Sequence, residues 1–447
     1  RRGALSAQGG GPYLMARPAR TILFSALLLI PCAVAQGLER FPPPDFESGY
    51  QQPETTVPPP RSGIYEYVDP AVLLATLSLA SYLVLRRRSR RAIFVLAVFS
   101  LLYFGFWRKG CICPIGAIQN VTLMIFDSGY AIPVAAVIFF LLPLVFTLFF
   151  GRTFCAAVCP LGAAQDLVLM RPVPVPPWLE NALRVVAYLY LGLAVLFAAT
   201  GSAFVICRYD PFVGFFRLDG NANILILGAC FLIVGIFIGR PYCRFFCPYG
   251  VILRQLSRLS KWRPSITPDE CIKCGLCEDS CPFGAIKVPT APWPAAERRT
   301  GAKRLVLLLA LLPLLVFLCG WAGAAAKVGT SRMHATVRLA ERVYLEEAGK
   351  VQGTTDASSA FRATGKEIEQ LYSDALAIRG RFGLGGWFLG GFIGLVVGLK
   401  LIGVSVWRRR TDYEADRAGC LACGRCFKYC PREHARGRKA REMAGRS

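Results

Sequence analysis

The stretch FFGRTFCAAVCPLGAAQDL (149–167) places two cysteines and a Cys-Pro step directly behind AAVIFFLLPLVFTLFF (135–150), an apolar run of near-bilayer length. A second copy, IGRPYCRFFCPYGVILRQL (238–256), also follows an apolar run, and the two match as G-R-x-aromatic-C-x3-C-P-x-G. An internal repeat that ends each apolar segment in a pair of thiols ties the fold to membrane spans and metal ligands together.

Composition agrees. At 447 residues and 54% hydrophobic content, with mean hydropathy +0.44, the chain is too apolar for a soluble enzyme. The expected class is an all-α polytopic membrane protein of about seven helices with an internal repeat. Eighteen cysteines in short-spaced runs beside basic loops read as metal ligation, not as a disulfide framework. The net charge of +24 does not call for nucleic acid, because the basic residues alternate with spans as membrane topology requires.

From Met15, MARPARTILFSALLLIPCAVAQ has a basic start, a short apolar core and Ala-Val-Ala before Gln36, which predicts a secretory signal cleaved after Ala35 and carrying Cys32 away. Residues 1–14 then read as an untranslated leader. Residues 36–66 form a proline-rich tether with too few apolar residues to pack. Seven spans are expected, roughly at 68–85, 92–107, 131–150, 182–206, 223–239, 305–326 and 385–407. Basic residues gather at 86–91 (five Arg), 240–304 (twelve Lys/Arg) and the tail from 408 (twelve), against two each in 108–130 and 207–222. That asymmetry predicts a multi-pass protein of the bacterial inner membrane with a periplasmic mature N-terminus, a cytoplasmic C-terminus and 327–384 as one long outer segment. The expected layout is a five-span bundle (67–260), a ferredoxin half (261–303), span six (304–326), the outer segment, span seven (385–407) and a second ferredoxin half with a basic tail (408–447).

The most specific signals are CIKCGLCEDSCP (Cys271, Cys274, Cys277, Cys281, Pro282) and CLACGRCFKYCP (Cys420, Cys423, Cys426, Cys430, Pro431). Each is C-x2-C-x2-C-x3-C-P, the bacterial ferredoxin run that holds 4Fe-4S cubes. Three thiolates two residues apart reach three corners of one cube, and the proline turns the chain away. Zinc would want two C-x2-C pairs held apart. In two-cluster ferredoxins the fourth cysteine ligates the other cluster. The two runs are therefore expected to close into one ferredoxin-like α+β module split between 264–290 and 412–434.

Cys155, Cys159, Cys243 and Cys247 lie at equivalent ends of the third and fifth spans and supply four thiolates, what a third cluster needs. The repeat continues more faintly at the outer face, where CPIGAIQ echoes CPLGAAQ and CRYDPF follows span four. Cys111, Cys113 and Cys207 form an outer site, with Asp210 or an external ligand as its fourth member; a disulfide in the oxidising compartment is the alternative. Cys230 and Cys319 read as packing residues within spans.

These residues resemble the NosR/NapH type of membrane-bound polyferredoxin, also seen in copper-oxidase assembly proteins, over about 90–290 and 408–431. The resemblance implies an electron-transfer subunit working between the quinone pool, or a cytoplasmic donor, and a periplasmic reductase or its maturation. Two departures stand out. No covalent-flavin domain with a Ser/Thr-Gly-Ala-Thr setting is present, and the second ferredoxin run is displaced behind two extra spans, which suggests a separate flavin subunit. A copper reductase or assembly factor is the nearest rival, weakened by only five methionines. A non-redox scaffold or sensor is another.

His334 and His434 are the only histidines, so no pair within a span can hold a membrane haem. Neither a P-loop nor G-x-G-x-x-G behind a strand is present. GLGGWFLGGFIGLVVG (383–398) has small-x-x-x-small spacing, which predicts close helix packing or dimer contact. Within 327–384, stripes of Val337, Ala340 and Tyr344, and of Ile368, Leu371, Tyr372 and Ala375, predict a helical hairpin.

Overall fold

The computed structural model describes residues 64–110, 113–217, 222–266, 271–290, 295–406 and 408–436. The expected signal peptide, the tether, Cys32 and Cys111 lie outside the described residues. The first hairpin is α1 (Ile64–Tyr82), extended by a π turn to Arg87, and α2 (Arg90–Ser100), extended by a π segment to Trp107. Arg88 turns the chain in the left-handed region (φ 49°), and the Ser89 side chain caps α2. Then come α3 (Pro114–Phe126), α4 (Val134–Phe150), a π turn at Phe154–Val158 and α5 (Pro160–Val168). The bundle is completed by α6 (Pro177–Ala199), α7 (Val205–Tyr209), α8 (Pro211–Arg217), α9 (Ala222–Phe237), α10 (Pro241–Phe245) and α11 (Pro248–Ser257).

Among the described residues five helices are long and apolar enough to cross a membrane: Tyr67–Arg87, Arg90–Trp107, Pro177–Ala199, Arg298–Ala325 and Ile368–Ser405. The expected spans at 131–150 and 223–239 are shorter. The helix α4 has 17 residues and α9 has 16, which at about 1.5 Å per residue falls short of a hydrocarbon core of about 30 Å. Helices α8 and α9 form a pair bent by 105°. Because α4 and α9 stop early, the cysteine segments that follow them turn back into the bundle, where Cys155, Cys159 and Cys247 are buried.

Beyond the bundle lie α12 (Leu276–Asp279), β1 (Ile286–Lys287), α13 (Ala295–Ala325), α14 (Lys327–Ser331), α15 (Ala335–Glu347), α16 (Asp356–Ala363), α17 (Ile368–Ser405), β2 (Glu414–Ala415) and α18 (Arg425–Tyr429). The second stripe of the expected outer hairpin is therefore no separate helix, since it opens the 38-residue α17. It does pack against α15, through Val337, Ala340, Val343, Leu371 and Ala375. Val343 takes the core place expected for Tyr344, which is 55% exposed. One residue of rotation along the helix separates the two. His334 caps α15, its Nδ1 accepting from Thr336 N at 3.2 Å. Cys230 is exposed on α9 and so does not fill the expected packing role.

The glycine-rich run resolves as packing within the chain. A Cβ on Gly390 would strike the Cys319 carbonyl, and one on Gly394 would lie 2.9 Å from the Leu315 carbonyl, because α17 and α13 run backbone to backbone. Gly390→Ala should push the helices apart at a cost of about 1–3 kcal/mol, read as a lower thermal midpoint in detergent. An unchanged midpoint would show that the helices can separate freely.

The main core is continuous from the bundle into the cysteine runs. Leu77, Ile93, Phe104, Ile115, Phe154, Tyr249 and Leu253 share one buried cluster with Phe283, Ala285, Leu421, Ala422 and Cys423. The two runs thus sit on the arginine-rich end of α1 and α2, where Arg90 donates to the Cys423 carbonyl at 3.1 Å and Arg88 pairs with Glu433 at 2.6 Å.

Candidate iron-sulfur sites

The two four-cysteine runs fold alike. Lys273 (φ 55°) and Ala422 (φ 53°) occupy the same left-handed position between the first and second cysteines, and Gly275 (φ 77°) and Gly424 (φ 71°) follow the second. Only glycine takes that conformation without steric cost, so Gly275 and Gly424 allow each loop to wrap its thiols before α12 and α18 begin. The runs are joined by an antiparallel pairing, Ile286 opposite Ala415 and Lys287 opposite Glu414, with Asp416 N donating to the Ala285 carbonyl at 2.7 Å.

This pairing crosses the fourth cysteines. Cys271, Cys274 and Cys277 line a recess of about 360 Å³ together with Cys430, not Cys281. On the other side, burial pushes the Cys420 thiol up to about 12, and neighbouring Cys423 and Cys281 add to it. Burial raises Cys426 too, with Cys420, Cys423 and Cys281 contributing. Thiols crowded in an apolar setting need positive charge to ionise, which is what the irons of a cluster supply. Among the described residues no three His, Cys, Asp or Glu side chains converge closely enough for a single metal ion. Thiolates at the corners of a cube need no such convergence.

The quartet is assembled from the repeat. Cys159 and Cys247 are each the N-cap of a helix, α5 and α11, with proline at its first position, where the missing N–H costs nothing. Gly250 N donates to Cys247 Sγ (3.3 Å), Gln165 Nε2 to Cys243 Sγ (3.2 Å) and Arg152 Nη2 to Cys155 Sγ (3.6 Å). Cys159 and Cys243 lie next to one another in the quartet. No disulfide joins the four. Four clustered sulfurs, three of them accepting from N–H donors, are a donor set suited to an anionic iron–sulfur cluster.

Behind the quartet lies a charge network the motifs did not announce. Asp166 is 2% and Arg240 0% exposed. Asp166 pairs with Arg90 at 2.9 Å, Arg240 at 3.0 Å and Arg425 at 3.8 Å. Burial works to raise its carboxyl, yet Arg240, Arg90 and Arg425 hold it below the usual carboxylate range. Arg240 also donates to the Cys155 carbonyl, and Arg152 to that of Ala418 at 3.4 Å. The only advance signal was the Gly-Arg that opens both repeat units.

The outer residues stand closer to the quartet than a span would set them. Cys113 caps α3 and Cys207 lies in α7. Cys113, Cys159 and Asp210 line one cavity of about 380 Å³. Cys113 and Cys159 thus share a cavity inside the bundle, nearer one another than the two ends of a span of about 30 Å would be. Burial pushes the Asp210 carboxyl up to about 6, against hydrogen bonds from the Phe212 and Val213 amides and the Tyr242 hydroxyl.

Comparison with known proteins agrees with this chemistry. A 4Fe-4S binding domain family matches twice, at residues 132–179 and 221–267, and a further 4Fe-4S binding domain family matches 264–287. The chain is 30% identical over 186 residues to the uncharacterized protein MJ0750 of Methanocaldococcus jannaschii, covering 41% of this chain and 77% of that one. It is 34% identical over 118 residues to YccM of Escherichia coli, whose name proposes an electron-transport role, covering 24% of this chain and 33% of YccM. With NirI of Paracoccus denitrificans it shares 31% identity over 122 residues, 26% of this chain and 18% of NirI. The match thus spans about a third of YccM and less of NirI. No solved structure matches.

Proposed function

Because the chain belongs to the membrane-bound 4Fe-4S polyferredoxins, we propose that it is an electron conduit in the bacterial inner membrane. Its cofactors are three 4Fe-4S clusters: one on Cys271, Cys274, Cys277 and Cys430, one on Cys420, Cys423, Cys426 and Cys281, and one on the quartet of Cys155, Cys159, Cys243 and Cys247. The two ferredoxin clusters form a split module at the cytoplasmic face, and the arginines of 86–91 set that orientation. Electrons pass between the quinone pool or a cytoplasmic donor and a periplasmic or flavin-bearing partner. Seven membrane segments, two of them short and re-entrant, carry the sites.

The observation that carries this reading is the buried quartet, drawn from two segments matched by one family and set against the second ferredoxin run. Arg240 links them, since it contacts the Cys155 carbonyl and senses the charges of both Cys243 and Cys423. A cluster supplies reversible one-electron storage. The chain's residues hold it, keep water away and set its surroundings: Gln165, Gly250 and Arg152 direct N–H groups at sulfur, which stabilises the more negative, reduced state.

The test is iron and sulfide counting on anaerobically purified protein, with redox-titrated EPR. The Cys155→Ala, Cys243→Ala double variant should lose about four irons per chain, the content of one cube, and one EPR signal. Wild-type iron in that variant would leave only the ferredoxin module and remove the conduit.

A further inference from the structure

The segment at Cys113 and the segment at Cys159 share more than their sequence echo. Cys113-Pro-Ile-Gly-Ala-Ile-Gln119 and Cys159-Pro-Leu-Gly-Ala-Ala-Gln165 each begin a helix with cysteine as N-cap and proline at the first position. Both glutamines are fully buried, and each reaches the backbone of the segment bearing the next cysteine. Gln119 Oε1 accepts from Ile206 N at 3.0 Å and Cys207 N at 3.4 Å. Gln165 Oε1 accepts from Tyr242 N at 3.0 Å, one residue before Cys243. Cys207 therefore holds the place of Cys243.

The correspondence runs on to the next ligand position. Cys243-Arg-Phe-Phe-Cys247-Pro248 is matched by Cys207-Arg-Tyr-Asp210-Pro211, one residue shorter, and each proline opens a helix, α11 or α8. Cys247 Sγ accepts from Gly250 N, and Asp210 Oδ1 accepts from Phe212 N at 2.9 Å. A carboxylate thus stands where the repeat puts its last thiolate. It is 2% exposed, and its partners are amides and the Tyr242 hydroxyl at 3.3 Å. Burying a carboxylate is costly unless hydrogen bonds or a cation compensate it. Gly116 leaves the room: a Cβ there would lie 3.2 Å from Cys207 Sγ, so that sulfur rests over the first turn of the helix that Cys113 caps. Cys113 and Asp210 face the same cavity.

We propose that Asp210 is a protein ligand of an additional iron–sulfur cluster held with Cys113 and Cys207, its carboxylate replacing the thiolate that Cys247 gives the quartet. The assignment rests on the conduit reading above and places a fourth carrier beside the third. Cys113, Cys207 and Asp210 supply three protein ligands, so the fourth iron of the cube takes an external ligand and should be the most easily lost of the site.

The experiment uses the full chain, purified anaerobically, with iron counting, redox-titrated EPR and mass spectrometry of unreduced protein. The wild type should hold about 16 irons per chain, four for each cube. Cys113→Ser and Cys207→Ser should each remove about four, leaving the other EPR signals as evidence of an intact fold. Asp210→Ala leaves two thiolates and should lose about four irons together with that site's EPR signal. Asp210→Cys should restore full iron with a shifted midpoint for that signal alone. Asp210 variants that match the wild type in iron and EPR overturn the assignment, and so does a disulfide on Cys113 or Cys207 in protein holding about 12 irons. Failure of the conduit reading shows separately, as retention of wild-type iron by the Cys155→Ala, Cys243→Ala variant.

Discussion

Asp166→Asn is expected to destabilise the protein by about 3–5 kcal/mol, the range for breaking a buried ion pair by removing one partner. The exchange keeps shape and volume but strands Arg240, which is 0% exposed, with Arg90 close by. Arg425 loses its link as well, so the tail should loosen from the bundle. Thermal unfolding in detergent, followed together with iron release, measures both effects. The sign of the pH dependence follows from the same contacts. The Asp166 carboxyl is held below its ordinary range in the folded protein, so its contribution is complete above the unfolded value of about 4 and is lost as pH falls toward the lowered one. The wild type should lose stability in acid through this group, and Asp166→Asn should lose less. Equal acid slopes in the two proteins would refute the assignment.

Removing residues 412–447 is expected to abolish both ferredoxin clusters, a loss of about eight irons per chain. The tail supplies Cys430 to the recess of Cys271, Cys274 and Cys277, and in the proposed module it takes Cys281 in return. It also contributes β2, half of a two-stranded pairing that does not persist alone in water. Leu421 and Ala422 are 4% and 2% exposed against the bundle core, so the cut also opens apolar surface around Phe283 and Ala285. Iron counting and EPR on the truncated protein decide the matter, with the quartet signal as the internal control. An intact, reducible cube on Cys271, Cys274, Cys277 and Cys281 would mean that the runs are independent.

Much of the site chemistry was legible because its determinants are local. Ligand spacing, a glycine after the second cysteine and a Cys-Pro step are short-range features, each acting on a few torsions within one turn of chain. The helical class and membrane character follow from apolar runs, and the identity of the 4Fe-4S chemistry follows from C-x2-C-x2-C-x3-C-P. The second stripe of the outer hairpin was read correctly at Leu371 and Ala375 but missed that its helix continues unbroken into the final span. No proline or capping residue stops it there. The exchange of Val343 for Tyr344 has a similar origin: both fit a 3.6-residue period, and only the facing helix chooses between them.

Sequence by itself thus determined which residues carry the chemistry and in what local geometry, since bond torsions and residue spacing act at short range. Tertiary structure alone decided how deep those sites lie and which charges surround them. Cys430 lines the recess of Cys271, Cys274 and Cys277, as the ferredoxin spacing implied, and β1 and β2 bring it there by pairing across more than a hundred residues of chain. The quartet lies inside the bundle because α4 and α9 end short and the chain turns back. In sequence nothing sets Asp166 apart from the other residues among 28 Asp and Glu. It becomes the centre of the assembly only when three arginines from distant segments are folded onto it, because a buried carboxylate is tolerated only where opposite charge and hydrogen bonds replace water.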